Sequence, residues 1–353
     1  MNRNRTLDVA KGIGIILVVL GHNWIIFHEY PEAMRVIFSF HLPLFFFISG
    51  IFFKDVPNFK PLLQIKFDGL LKPYFVVLLS LGLAKSLLQG GSFWQLFAGT
   101  LYAAGSTIAW LPMWFLPHLF AINLFVWFLL KGMGQRRQDW RINSGIIFIM
   151  LVLGTVIFDH FSNRPPSFFH ATEPQTFKPE GLPSLPFSLD VLLVTSAFFF
   201  TGYCISDRVK NYRFNLALTL IAAILFTALH VFFNVSMDIN QRIYGNLWIS
   251  TVQAATGIYL TLALSERISH FEKIEKMFAF IGQGSLFILI FHFYIQIKVT
   301  EVLYAKHLAT MFQGSLIGFI LSISVSLILF KLVKTSKTLS LLLLPNKKTK
   351  LTT

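Results

Sequence analysis

Residues 5–24, RTLDVAKGIGIILVVLGHNW, form an apolar run that retains three ionisable side chains, Asp8, Lys11 and His22. Apolar residues alone would serve as an anchor, whereas an ionisable group kept in such a stretch is costly and marks a working position. Lys11 and His22 are eleven residues apart. At ~100° per residue that spacing returns to nearly the same helix face, ~16 Å further along the axis. The stretch therefore reads as a first membrane span with a cation near one surface and a titratable imidazole near mid-bilayer. A signal peptide would share the basic start and apolar core, but no small-residue cleavage site follows and Lys11 interrupts the run.

The remaining sequence agrees with that opening. Of 353 residues 55% are hydrophobic and 13% charged, with 40 Phe, and the mean hydropathy is +0.65. This is the composition of an all-α, polytopic integral membrane protein rather than of a soluble domain. Apolar windows of spanning length fall near residues 11–29, 35–53, 68–88, 112–130, 144–161, 188–206, 214–233, 247–264, 280–298 and 312–333. About ten transmembrane helices return both termini to one side. With that side cytoplasmic, about 23 of the 30 Lys and Arg lie inside, the bias that orients such proteins. Topology thus accounts for the excess of 30 basic over 16 acidic residues, and no nucleic-acid partner is implied. The single Cys204 excludes an internal disulfide and a multi-cysteine metal site. Residues 1–335 are expected to form one transmembrane domain and residues 336–353 a basic cytoplasmic tail whose LSLLLLP patch suits the inner leaflet. The Pro-rich outward stretch 162–187 is no buried span.

Several side chains could carry chemistry. Imidazole is the usual general base near neutral pH, so His22 is the first candidate, against the alternative of a histidine bonded to a neighbouring helix for packing. His41, His118 and His292 also fall within expected spans. Lys11 suits a phosphate-bearing ligand at the cytoplasmic mouth, with Asp8 one turn before it; a plain Asp8–Lys11 pair is the simpler account. Lys66 and Lys72 enter the third span at the same surface, where snorkelling lysines would look alike. In the second span Pro43 predicts a kink just after His41, and Ser49–Gly50 a close helix approach. Ser285 and His292 lie seven residues apart, about two turns along one face, too far to touch and hence two lining residues of one cavity. The four histidines are scattered over four spans without ligand spacing, so no metal is expected.

Taken together these segments resemble acyltransferase family three, the polytopic bacterial membrane enzymes that O-acetylate glycans, and within it the fucose 4-O-acetylase-like branch. The likeness rests on the basic residue and histidine of the first span (Lys11, His22) behind Leu7-Asp8, on FSFHLPLFFFISG at 38–50, on Lys72-Pro73-Tyr74, on WFLPHLF at 114–120 and on GQGSLFILIFH at 282–292. It covers nearly the whole chain in order and topology. The resemblance implies an acyl-CoA donor, usually acetyl-CoA, used on the cytoplasmic side of a bacterial inner membrane, and a sugar hydroxyl of a lipid-linked or surface glycan as acceptor. It puts His22 at the catalytic position and Lys11 at the basic position of the first helix, where relatives more often carry arginine; lysine meets a phosphate as a point charge, without arginine's fork. Leu42 stands where many relatives have methionine. No fused hydrolase-like domain is evident, which groups the chain with stand-alone members.

On this reading Asp8, Lys11, Lys66 and Lys72 are expected on the donor side, and His22, His41 and His292 at the reacting centre, His22 as general base or as a relay that first takes the acetyl group itself. Asn23, Trp114, His118 and Ser285 are expected on the acceptor side. A coenzyme A held by its phosphates at Lys11 would extend its pantetheine arm over the ~16 Å to His22. Gly12 and Gly14 suit helix packing within one chain or between two copies, so a homo-oligomer is compatible with the sequence. Buried histidines, broken helices and a basic inner mouth also fit a transporter or flippase for a lipid-linked sugar, but the spans are poor in Asp and Glu and show no internal repeat. A purely structural scaffold would leave the Lys11–His22 spacing unexplained.

Overall fold

The computed structural model describes residues 4–90, 92–161 and 184–346. The chain is built almost wholly of helices: α1 (Arg5–Gly21), α2 (Trp24–Glu29), α3 (Pro31–Phe38), α4 (His41–Ile51), α5 (Phe59–Lys66), α6 (Lys72–Gln89), α7 (Phe93–Tyr102), α8 (Phe115–Met133), α9 (Trp140–Phe161) and α10 (Leu192–Cys204). There follow α11 (Ser206–Lys210), α12 (Leu216–Phe232), α13 (Leu247–Ser269), α14 (Glu272–Gln283), α15 (Ser285–Ala305), α16 (Met311–Thr335) and α17 (Lys337–Leu343). Between α12 and α13 two short strands, β1 (Met237–Asp238) and β2 (Ile243–Tyr244), pair antiparallel, Met237 opposite Tyr244. Among the described residues eight helical stretches are long and apolar enough to cross a bilayer, and each coincides with one of the ten apolar windows. The other two windows fall on α1 and α12, of 17 residues each. The protein is an all-α polytopic membrane protein.

Three breaks depart from uninterrupted spans, each for a local reason. The first window, expected to run from 11 to 29, is two helices. Asn23 is extended (φ −84°, ψ 137°) and its Oδ1 accepts from Ile25 N at 3.1 Å, so it caps α2 and ends α1. In the second window the interruption lies at Ser39–Phe40, before His41, and not at Pro43. Pro43 sits in the first turn of α4, where its missing N–H costs nothing. In the third, one π turn (Phe67–Leu71) joins α5 to α6 directly before Pro73, whose ring cannot complete the regular ladder.

The chain divides into two compact units. The first comprises residues 1–52, 201–239 and 243–331; the second comprises 53–200, 240–242 and 332–353. In the first unit α1 packs on α14, α13, α15 and α4. Its approach to α14 is through glycine: a Cβ on Gly12 would lie 2.2 Å from Phe278 O, and one on Gly282 would lie 2.4 Å from Asp8 O. Arg35 of α3 donates to Phe233 O (2.8 Å) and His230 O (2.9 Å), satisfying carbonyls at the end of α12. A small core of Ile15, Val18, Val19, Ile281 and Ile288 fills the space between α1, α14 and α15.

In the second unit α17 lies on α6, and the segment behind it is tied down by polar bonds. Lys72 Nζ donates to Asp68 Oδ1 (2.7 Å) and Leu344 O (2.6 Å), and Asn346 N donates to Asp68 Oδ2 (2.6 Å). The tail is thereby fixed to the start of α6 as far as Asn346. Most of the Pro-rich stretch (162–183) and the last basic residues, Lys347, Lys348 and Lys350, lie outside the described residues.

The glycine contact gives a direct check. Gly12→Val is expected to destabilise the detergent-purified protein by ~1–3 kcal/mol through overpacking, read as a lowered thermal midpoint. Gly132→Ala, whose Cβ would meet nothing within 4 Å, is expected to leave that midpoint unchanged.

Candidate active site

Helix α1 is continuous from Lys11 to Gly21, so the ~16 Å rise expected between Lys11 and His22 is set by a rigid element. Asn4 Oδ1 starts it by accepting from Leu7 N at 3.0 Å, and Asp8 in the first turn complements the helix dipole. Lys11 is half-buried, its Nζ 4.1 Å from the centroid of the Phe52 ring, a cation–π contact that holds the charge at the α4 end. At the other end His22 is the C-cap of α1.

Three imidazoles of this unit, His22, His41 and His292, share one geometry. His22 Nδ1 lies 2.8 Å from Val18 O, His41 Nδ1 2.9 Å from Ile37 O and His292 Nδ1 2.7 Å from Ile288 O. A carbonyl only accepts, so each ring carries its proton on Nδ1 and presents Nε2 as an acceptor when neutral. His22 and His292 stand edge to face with ring centroids 5.3 Å apart. Phe293 covers His22 from one side at 5.7 Å, and Phe38 lies 5.9 Å from His22 and 4.8 Å from His41. His292 is fully buried, and its Nε2 meets no hydrogen-bond partner among the described residues. His22 itself is half-buried. The arrangement is an apolar-walled site in which the buried Nε2 of His292 can accept from a group that brings its own proton.

Directly behind His22 is a buried amide network. Asn23 Nδ2 donates to Gln296 Oε1 (2.8 Å) and Ser315 O (3.1 Å), Asn23 Oδ1 accepts from Ser315 Oγ (2.9 Å), and Gln296 Nε2 donates to Val19 O (3.1 Å). Both amide hydrogens of Asn23 and its oxygen are thus engaged by protein. Ser285, at the start of α15, is about two turns from His292 on the same helix.

Four of the sequence-derived candidates belong to the second unit. Lys66 Nζ is 5.4 Å from the Phe53 ring centroid, and Lys72 is bound to Asp68 and Leu344 as described. Trp114 and His118 pack with ring centroids 5.4 Å apart. His118 donates from Nδ1 to Phe187 O (2.9 Å) and accepts at Nε2 from Thr195 Oγ1 (2.9 Å), so both its nitrogens are satisfied internally. Nearby, Phe187 and Ser188 are left-handed (φ 56° and 54°), and Asp190 and Arg242 form an ion pair at 2.6 Å with side chains 0% and 6% exposed.

The model of the acyltransferase domain family matches residues 4–331. The chain belongs to that family. It is a membrane acyltransferase, and the match takes in the first compact unit almost entirely and the second up to residue 242, leaving out 332–353. Neither the curated proteins nor the solved structures give a match. Among the described residues of the acyltransferase no cluster of three or more His, Cys, Asp or Glu is placed to hold a metal ion.

Sequence reasoning missed Gln296 and Ser315 in this acyltransferase, and also the Asp190–Arg242 pair. A signal for the first was present: Gln296 follows His292 by four residues, hence on the same face, within the apolar run 286–297. Asp190 and Arg242 are 52 residues apart and carried none. Arg242→Met, which strands Asp190, is expected to destabilise the acyltransferase by ~3–5 kcal/mol, with much of the loss recovered when Asp190→Leu is added. Thermal midpoints of the two variants in detergent provide the measurement.

Proposed function

We propose that this acyltransferase moves an acetyl group from acetyl-CoA to a hydroxyl of a lipid-linked or cell-surface glycan, in the manner of the fucose 4-O-acetylase-like members of its family in the bacterial inner membrane. The observation that carries the reading is the His22 imidazole, its proton held on Nδ1 by Val18 O at the end of the same helix that carries Lys11. A base must offer a lone pair at a fixed place, and that hydrogen bond selects Nε2 for the purpose.

In the proposed reaction the coenzyme A phosphates meet Lys11 and the thioester reaches His22. The acceptor hydroxyl gives its proton to His22 Nε2 as its oxygen bonds to the acetyl carbon. The tetrahedral intermediate then expels the coenzyme A sulfur, and the imidazolium returns the proton to the departing thiolate. Atoms and charge balance without a metal or a further reactant. His292, with its proton also on Nδ1, is suited to accept a hydrogen bond from the acceptor sugar and unsuited, while neutral, to donate one to the oxyanion from Nε2. The neighbouring Phe38 and Phe293 rings keep the site apolar, where a proton transfer competes least with water.

Two substitutions separate the roles. With membrane expression matched, His22→Ala is expected to lower turnover by ~10²–10⁴-fold, the usual contribution of a positioned base. Lys11→Ala is expected to raise KM for acetyl-CoA by roughly tenfold or more, the loss of one charge-assisted contact, with kcat little changed. O-acetyl content of surface glycans, measured by mass spectrometry in a deletion strain complemented with each form, tests the same reading in the cell. Equal restoration by wild type and His22→Ala would remove His22 as the base.

A further inference from the structure

Gln296 does for the His22 turn what no main-chain group can. In an unbroken helix the carbonyl of Val19 would accept from Asn23 N–H, but that N–H bonds to Leu20 O at 2.9 Å because the helix ends there. Val18 O is occupied by His22 twice, by its backbone N at 3.2 Å and by its Nδ1 at 2.8 Å. The Val19 carbonyl is therefore left over inside an apolar bilayer, and the Gln296 amide nitrogen takes it at 3.1 Å. The oxygen of the same amide takes Asn23 Nδ2 at 2.8 Å. One side chain thus grips the residues on both sides of the turn, three before His22 and one after.

The grip comes from the helix that also carries His292. His292 and Gln296 are four residues apart on α15 and share a face, so the helix that aims one imidazole also holds the turn bearing the other. Gln296 is itself fixed: it is 3% exposed, and a Cβ on Gly318 of α16 would lie 3.1 Å from its carbonyl oxygen, so the two backbones are in close contact. Ser315 on α16 completes the hold by bonding Asn23 through both its hydroxyl and its carbonyl.

We propose that Gln296 is a positioning residue of the acyl-transfer site, setting where His22 Nε2 points relative to His292 without touching donor or acceptor. The proposal rests on the reading of His22 as the base. An amide is required at this place because the two atoms it meets are of opposite kind, a carbonyl acceptor at Val19 and an N–H donor at Asn23. Gln296→Met keeps the length and loses both bonds. Gln296→Glu keeps the acceptor toward Asn23 and regains the donor toward Val19 only when its carboxyl is protonated.

The test uses full-length protein in detergent and reads turnover, KM for acetyl-CoA, stabilisation by acetyl-CoA and the rate at which diethylpyrocarbonate modifies His22, by mass spectrometry. Gln296→Met is expected to lower turnover by ~100-fold, as a misplacement of about 1 Å can do. KM for acetyl-CoA and the stabilisation by it are expected to stay at wild-type values. The modification rate of His22 is expected to change while that of exposed His28 does not. Gln296→Glu is expected to recover activity relative to wild type as pH falls, which loss of folding alone would not produce. Wild-type turnover in Gln296→Met, or a loss of turnover accompanied by loss of stabilisation by acetyl-CoA, would overturn the proposal. If the wild-type protein transfers no acetyl group, the functional reading fails by itself, and the modification rate still decides whether Gln296 holds His22.

Discussion

A hydrogen bond missing from a helix in a bilayer has to be replaced by protein, and the end of α1 is where this fold meets that constraint. Stopping the helix at Gly21 leaves the Val19 carbonyl without a main-chain partner, and Gln296 takes it. His22 Nδ1 adds a second bond to Val18 O, which the His22 backbone N already meets. Each side-chain bond fixes something useful: that of His22 chooses which nitrogen of the imidazole carries its proton, and that of Gln296 ties α1 to α15. Ser315 brings in α16 through Asn23. The packing of the first unit around α1, with glycines of α1 and α14 letting their backbones nearly touch, supplies the rigidity this arrangement needs.

The spans were legible because their signal is long-range and redundant: twenty or so apolar residues with basic inner flanks outvote any local irregularity. The placement of Lys11 and His22 along one helix was legible for the converse reason, since ionisable residues in that setting stand out and the helical period relates them. The breaks were harder. Asn23 is a good cap, but within an apolar window a cap and a continuing helix read alike, and only the partner on α15 decides between them. Pro43 was given a kink that belongs to Ser39–Phe40, because a proline's effect depends on how far it stands from the helix start. Pro73 did its work upstream, as a π turn.

What the sequence withheld were pairings between distant segments. Asn23 with Gln296 and Ser315, Lys72 with Leu344, and Asp190 with Arg242 join positions 52 to 292 residues apart. In each case one partner looks ordinary by itself. A glutamine one turn beyond a histidine, a serine in an apolar helix and a backbone carbonyl in a tail acquire meaning only from what faces them. The tail is the plainest instance, because LSLLLLP reads as a lipid-facing patch while its polar end answers Asp68 and Lys72.

The π turn at Phe67–Leu71 gives the third span a phase step. A π turn holds one residue more than an α turn of the same rise, so side chains before it are rotated by ~100° relative to an uninterrupted helix. Lys60 and Lys66 of α5 therefore face directions that no helical wheel drawn from Lys72 onward would give them. Removing a single residue between Phe67 and Leu71 would swing α5 round by that angle while leaving every residue type in place. The orientation of these cations is thus encoded in the residue count of the turn and in the proline that follows it, and not in the lysines themselves.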